Sequence, residues 1–236
     1  MTKLVERLKR TQDPAARHLL LRTRGAMQYA VRGHVVRRRV ARRYLAANAE
    51  PKLHIGAGPV RLDGWLNTDL IAGDAYLDLS RSLPFADDTF AFAFGEHVIE
   101  HLPERTAVGL MVELRRVLRP GGVLRLTTPD LRKIIALYED RNAVISRADY
   151  ARYLDEQTGR PHERAAQILN DYLRLWGHQW VYDEEDLGAR LHEAGFTRVQ
   201  RLEAGHSERR SLQDLERHGG AEWVNRAEAM ALEAIR

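Results

Sequence analysis

The sequence predicts an α/β protein built on a doubly wound sheet. Three observations carry this. From residue 52 onward, short apolar runs alternate with helical stretches. The first run, KLHIGAG (52–58), ends in a Gly-x-Gly turn. The next two, WLNTDL (65–70) and AYLDL (75–79), bring Asp69 and Asp78 to their ends. In an open α/β sheet, ligands bind beyond those carboxyl ends.

The elements follow in order. Residues 3–47 read as helical, with Pro14 and Gly25 or Gly33 as breaks, and the stretch from Asn48 to Lys52, with Pro51, stops them. Residues 1–50 are thus an N-terminal helical extension ahead of one domain, 51–236. After the first three strands, FAFAF (90–94) is the fourth. ELRRVLRPGG (113–122) is a helix stopped by Pro and Gly, and VLRLTTPD (123–130) is the fifth strand. Residues 131–176, rich in Tyr, Arg and Asp, are mostly helical and break the strand rhythm, so they read as an insertion or lid. DEEDLGARLHEAGF (183–196) is a helix with Asp183 as N-cap and Gly195 as its stop. TRVQRL (197–202) is a further strand, and AMALEAIR is helical by propensity alone.

Composition narrows the chemistry. Of 236 residues, 44% are apolar, enough for a sizeable core. There is no Cys, which excludes disulfides, thiolate chemistry and cysteine-ligated zinc. Any metal site must use His and carboxylates. The net charge is +4, and lysine occurs only at 3, 9, 52 and 133, so the cations are nearly all Arg. RGHVVRRRVARRY (32–44) is densely basic, which suits anionic partners, although a solvated helix face is the simpler reading. No apolar run approaches a membrane span. The charged N-terminus MTKLVERLKR lacks the apolar stretch of a signal peptide, which predicts a cytoplasmic protein.

The carboxyl ends of the first strands suit a nucleoside. Gly56-Ala57-Gly58 allows close backbone approach. Asp69 is placed to take both ribose hydroxyls, and Asp78 to reach an adenine amine. Pro59-Val60-Arg61 follows without the third Gly that carries a pyrophosphate, and there is no phosphate loop. A ligand with ribose and base but no phosphate fits, and S-adenosylmethionine is one. The stretches LHIGAGPVRLDGWLNTDL, LPFADDTFAFAFGEHVIEHL and ELRRVLRPGGVLRLTTPDL resemble the class I S-adenosylmethionine-dependent methyltransferases, a Rossmann-like family. WGHQWVYDEEDLGARLHEAGF and EWVNRAEAMALEAIR extend the resemblance over most of 52–236. It implies a seven-stranded sheet with an antiparallel last strand, hence a strand rather than a helix at 229–235. It also implies a cofactor site of His54, Gly56, Ala57, Gly58, Asp69, Leu70, Asp78, Leu79, Gly95 and Glu96. Within it, Gly56 and Gly58 pass under the methionine part. His54 stands where the family often has an acid or Asn. The helices at 3–47 lie outside the resemblance.

Directly after the fourth strand comes EHVIEHL (96–102), read as the start of a helix. On a helix its Glu and His side chains share one arc, while Val98, Ile99 and Leu102 face the core. In a class I methyltransferase this segment passes the methyl group. Three readings stand. The first is an ordinary solvated helix start, its Glu residues favoured by the helix dipole. The second is general base catalysis by His97, His101 or His178. The third is a divalent metal, Mg²⁺ or Mn²⁺, on His97, Glu100, His101 and His178. The run resembles the E-x-x-E-H of metal-dependent small-RNA 2′-O-methyltransferases, with His97 in place of their Glu. Three His and one Glu suit Mn²⁺, Fe²⁺, Co²⁺ or Zn²⁺ better than Mg²⁺, and Glu96 is an alternative oxygen ligand.

The acceptor is less legible. Tyr138, Tyr150, Tyr153, Tyr172 and Trp176 form an aromatic set suited to stacking on sugar rings or to packing the lid on the sheet. Within the class I methyltransferases the chain resembles a subgroup whose relatives resemble proteins of polysaccharide and glycoconjugate pathways. A sugar or oligosaccharide O-methyltransferase, with methylated mannose oligosaccharides as one candidate acceptor, is the expectation. An RNA ribose 2′-O-methyltransferase is the alternative, without a recognisable RNA-binding module. A catalytically silent, cofactor-binding partner protein is a third. A homo-oligomer is compatible with the sequence.

Overall fold

The computed structural model describes residues 39–217 and 222–236. The expected helices before residue 39 therefore lie outside the described residues. A helix over 39–47 (α1) leads into the sheet. Tyr44 fastens it there, its hydroxyl accepting from Lys52 N at 2.9 Å and lying 2.9 Å from the Gly64 carbonyl.

Seven strands form one sheet: β1 (Lys52–Ile55), β2 (Leu66–Asp69), β3 (Ala75–Tyr76), β4 (Phe90–Glu96), β5 (Leu118–Pro129), β6 (Arg198–Leu202) and β7 (Ala229–Ile235). Their spatial order is β3-β2-β1-β4-β5-β7-β6. β1 to β5 run parallel, and β7 pairs antiparallel with both β5 and β6. This is the expected Rossmann-like class I architecture, antiparallel last strand included. AMALEAI becomes a strand against its helical propensity because it fills the slot between β5 and β6, where six of its seven residues are buried.

The helices are α2 (Glu104–Val117), α3 (Leu131–Tyr138), α4 (Arg147–Thr158), α5 (Ala165–Arg174), α6 (Glu184–Glu193) and α7 (Glu222–Glu228). In α6, Asp183 accepts from Asp186 N at 2.9 Å, and Gly195 (φ 94°) turns the chain out, as the sequence predicts. Leu53, Ile55, Phe90, Leu114, Leu124 and Leu232 lie at the centre of the main core. Helices α3 to α5 keep a second one, around Ile134, Leu137, Tyr150, Leu154, Ile168 and Tyr172.

Three boundaries differ from expectation. The helix expected at 113–122 ends at Val117, and residues 118–122 join β5. Gly122 requires this close course, since a Cβ there would lie 2.8 Å from the Arg119 carbonyl. β3 is only two residues long, so Asp78 falls in the turn beyond it. EHVIEHL is not an α-helix. β4 runs through Glu96, paired with Thr127, and His97 N donates to Thr127 O at 2.8 Å. The chain then turns at His97 (φ 48°) into a single 3₁₀ turn, Ile99–His101. Strand pairing to Thr127 wins over helical periodicity there.

Candidate active site

The first turn has the geometry of a cradle. Gly56 and Gly58 both have positive φ (61° and 53°). A Cβ on Gly56 would lie 2.3 Å from Val98 Cγ2, whereas one on Gly58 would meet nothing within 4 Å. The turn is thus closed beneath by Val98 and open at Gly58. Ala57 N donates to Thr68 O at 2.9 Å, tying β1 to β2. Asp69 braces the same corner: Oδ2 accepts from Gly58 N at 3.1 Å, and Oδ1 from Ile71 N and Ala72 N at 2.7 and 3.1 Å. A carboxylate has about four acceptor positions, so one remains. Asp78 takes the Ser80 amide and hydroxyl at 3.0 and 2.6 Å and pairs with Arg81. Leu70 and Leu79 are half-buried beside these two acids. Gly95 lets β4 approach β1, since a Cβ there would stand 2.8 Å from Ile55 Cγ1.

Two residues of the expected cofactor set are engaged by other groups of the protein. His54 is buried, its Nδ1 3.0 Å from Asn67 Oδ1 and its ring beside Phe94. Glu96 holds the backbone N–H of Arg217, with its two oxygens at 3.0 and 2.9 Å, and accepts from Asn225 Nδ2 at 3.2 Å.

Beyond β4, Glu100, His101 and His178 come together, with one ligand atom of each within 4.8 Å of the others. The 3₁₀ turn delivers the first two. His178 arrives on the segment after α5, which Gln179 N pins to the Glu100 carbonyl at 2.7 Å. Glu100 is fully buried, contrary to a solvated polar arc. Its Oε2 accepts from Thr128 Oγ1 at 2.9 Å. Burial pushes its carboxyl up, but the His97 hydrogen bond and the neighbouring His97, His101 and His178 outweigh this and hold it at about 2. His97, expected as a fourth ligand, stands outside the trio, its Nδ1 3.0 Å from Glu100 Oε1. Burial opposes its protonation, and the bond and charge of Glu100, with Glu228 and Glu96, reverse this and raise its pKa.

His178 Nδ1 lies 2.7 Å from the Tyr172 carbonyl, so this nitrogen carries the proton and Nε2 keeps its lone pair. Burial holds the ring down at about 4, which keeps it neutral at pH 7. The rings of His101 and His178 meet edge-on at 5.0 Å. One carboxylate and two imidazoles make a donor set for Mn²⁺, Fe²⁺, Co²⁺ or Zn²⁺. Donors on such an ion sit about 2.0–2.2 Å from it. At that radius opposed donors are at most about 4.4 Å apart, close to the 4.8 Å within which the three lie.

Some residues beside the site carry no signal in the sequence. Glu228 is buried at the end of α7, accepts from the Tyr150 hydroxyl, and has a raised pKa because of burial. An acid at a helix end ordinarily reads as solvated. Thr128 lies inside a strand pattern that says nothing of a bond to Glu100. Of the aromatic set, Tyr150 and Tyr172 are buried in the second core, which removes them as stacking surfaces. Tyr153 packs on Trp223, with ring centres 5.0 Å apart. Tyr138 and Trp176 are exposed.

The strand order, the Gly turn and the acids at the end of β2 and just beyond β3 define an α/β sheet with a nucleoside-type site at its carboxyl edge. The chain belongs to the methyltransferase domain family, whose model matches residues 33–201. It is an S-adenosylmethionine-dependent methyltransferase. Solved structures are similar at low identity. A SAM-dependent methyltransferase from Archaeoglobus fulgidus is 15% identical, with 89% of this chain and 98% of that one covered and a TM-score of 0.46. An S-adenosylmethionine-dependent methyltransferase from Mesorhizobium loti is 17% identical, with 83% and 96% covered and a TM-score of 0.45. No curated protein matches the sequence. Among the described residues, no helix is long and apolar enough to cross a membrane.

Proposed function

We propose that the protein transfers the methyl group of S-adenosylmethionine to a hydroxyl of a sugar or oligosaccharide, with a divalent transition metal held by Glu100, His101 and His178. The observation that carries this is the convergence of those three side chains immediately beyond β4. The sequence's resemblance to a subgroup whose relatives resemble proteins of polysaccharide and glycoconjugate pathways supports the acceptor class.

The cofactor supplies a methyl group already activated on a sulfonium, and the ion, when bound, lowers the pKa of a hydroxyl. The chain's residues do the rest. Gly56 and Gly58 admit the cofactor close to the backbone, and Asp69, already fixed by three amides, offers its remaining acceptor position to a ribose hydroxyl. With the ion bound, His101 and His178 are its ligands and orient the acceptor, whose proton leaves to water; without the ion, a free ring nitrogen of either would receive that proton. The acceptor oxygen forms its bond to the methyl carbon as the carbon–sulfur bond breaks, leaving S-adenosylhomocysteine. Glu100 fixes the histidines' surroundings with a permanent negative charge.

The test is tritium transfer from labelled S-adenosylmethionine into neutral oligosaccharides, with Mn²⁺ and with chelator. Label in a sugar that chelator suppresses is the expected result. Label at an RNA ribose instead, with steeply salt-dependent RNA retention, would overturn the acceptor class.

A further inference from the structure

Among the described residues, five that are not glycine have positive φ: Asp88, His97, Asp140, Trp176 and Asp214. Aspartate tolerates this conformation because its short side chain bonds locally. For a bulky ring it is unfavourable, and such outliers gather at ligand sites. Trp176 (φ 58°, ψ 1°) sits on the chain that carries His178, and its own neighbour Gly177 also has positive φ (88°). A Cβ on Gly177 would lie 3.8 Å from His101 Nδ1, so this turn runs directly past the trio.

The strain sets the ring at the edge of the site. Its centre is 5.9 Å from that of His178 and 6.2 Å from that of Tyr172. Yet Trp176 keeps 39% of its surface exposed, a poor return if its task were only to cover His178. Trp180, four residues on and similarly exposed, makes the contrast. The Arg190 guanidinium lies over its ring at 5.3 Å, and its indole N–H donates to Asp186 at 2.8 Å. Among the described residues no cation covers Trp176.

We propose that Trp176 is the platform on which the acceptor ring lies. A neutral pyranose presents a flat face of C–H bonds to the indole, and its rim hydroxyls project sideways toward His178 and His101. This rests on the sugar acceptor proposed above and adds the residue that selects it: an acceptor without such a face loses the platform. Trp176 acts on binding of the acceptor, and binding of the cofactor does not depend on it.

The experiment compares wild type with Trp176→Ala and Trp176→Phe in full-length protein, with Mn²⁺ present. Tritium transfer into neutral mannose and glucose trisaccharides gives KM and kcat, and calorimetry gives S-adenosylhomocysteine affinity. Loss of the stack is expected to raise the acceptor KM about tenfold in Trp176→Ala. There kcat and S-adenosylhomocysteine affinity stay within about twofold, and Phe restores most of the KM. Trp176→Gly, which suits the positive φ, replaces the Ala variant if that one fails to fold. An unchanged KM overturns the platform and leaves the sugar acceptor standing. A fall in kcat at constant KM also overturns it, because the ring would then be positioning His178. Wild type that labels and binds neither trisaccharide overturns the sugar acceptor and the platform together.

Discussion

Thr128 Oγ1 donates to Oε2 of the buried Glu100 at 2.9 Å, while the other oxygen of that carboxylate faces His97. A fully buried carboxylate survives only when it is paired and hydrogen-bonded. Glu100→Gln keeps the shape and removes the charge, leaving His97 facing a neutral amide. It is expected to reduce methyl transfer by at least about a hundredfold. Stability should fall by about 1–3 kcal/mol in a thermal melt. Wild-type activity in the Gln variant would show that the charge is not used.

The trio separates ligands from neighbours. Calorimetric titration of Mn²⁺ into chelator-stripped protein saturated with S-adenosylhomocysteine should give one site. His101→Ala and His178→Ala should abolish it. His97→Asn should weaken it by about ten- to a hundredfold without abolishing it, because His97 holds the ligand Glu100 from outside the trio. Equal loss in all three variants would return His97 to the ligand set.

Much of this was readable beforehand, and the failures have physical causes. The doubly wound sheet follows from strand rhythm, and β7 came from resemblance alone, since AMALEAI has helical propensity. EHVIEHL misled because its i, i+4 spacing is helical, while the pairing of β4 with β5 through Glu96 and Thr127 is non-local and invisible in the segment. Glu100 and His101 were legible as chemistry-bearing types at close spacing, whereas His178 lies far along the chain and rested on resemblance. His97 was not separable from them, because its exclusion depends on a backbone turn at φ 48°. Glu228 and Thr128 belong to the site only through tertiary packing.

The two glycines of the first turn should fail differently. Alanine at either position carries a φ penalty of about 1 kcal/mol. At Gly56 the new methyl also meets Val98 at 2.3 Å, which would displace the turn bearing His97 and Glu100. Gly56→Ala is therefore expected to lose about 2–3 kcal/mol in a denaturant titration. Gly58→Ala meets no atom within 4 Å and should cost only the φ term. Its methyl fills the open side of the cradle, so S-adenosylhomocysteine affinity should drop by about tenfold or more while the melt barely moves. If Gly58→Ala binds as wild type does, the cofactor does not pass over this turn.

The last relationship predicts a pH response. Arg125 is buried and donates to Glu216 at 2.8 Å, to Glu233 at 3.0 Å and to the His206 carbonyl at 2.9 Å. Glu216 also accepts from Thr127 and from Gly205 N, which ties the 203–217 loop to β5 next to the Arg217 amide held by Glu96. Burial pushes the Glu216 carboxyl up, but the charge and hydrogen bond of Arg125, helped by the other donors, hold it below the ordinary value. A depressed carboxyl adds stability that is complete above its unfolded pKa, near 4.3, and is lost as pH falls through the folded value. Melting temperature should therefore decline on the acid side below about pH 4.5. Glu216→Gln should be less stable at pH 7, because Arg125 loses a buried counter-charge, and its acid decline should be shallower than that of wild type. Parallel acid arms in the two proteins would mean that this carboxylate does not couple the loop to protonation.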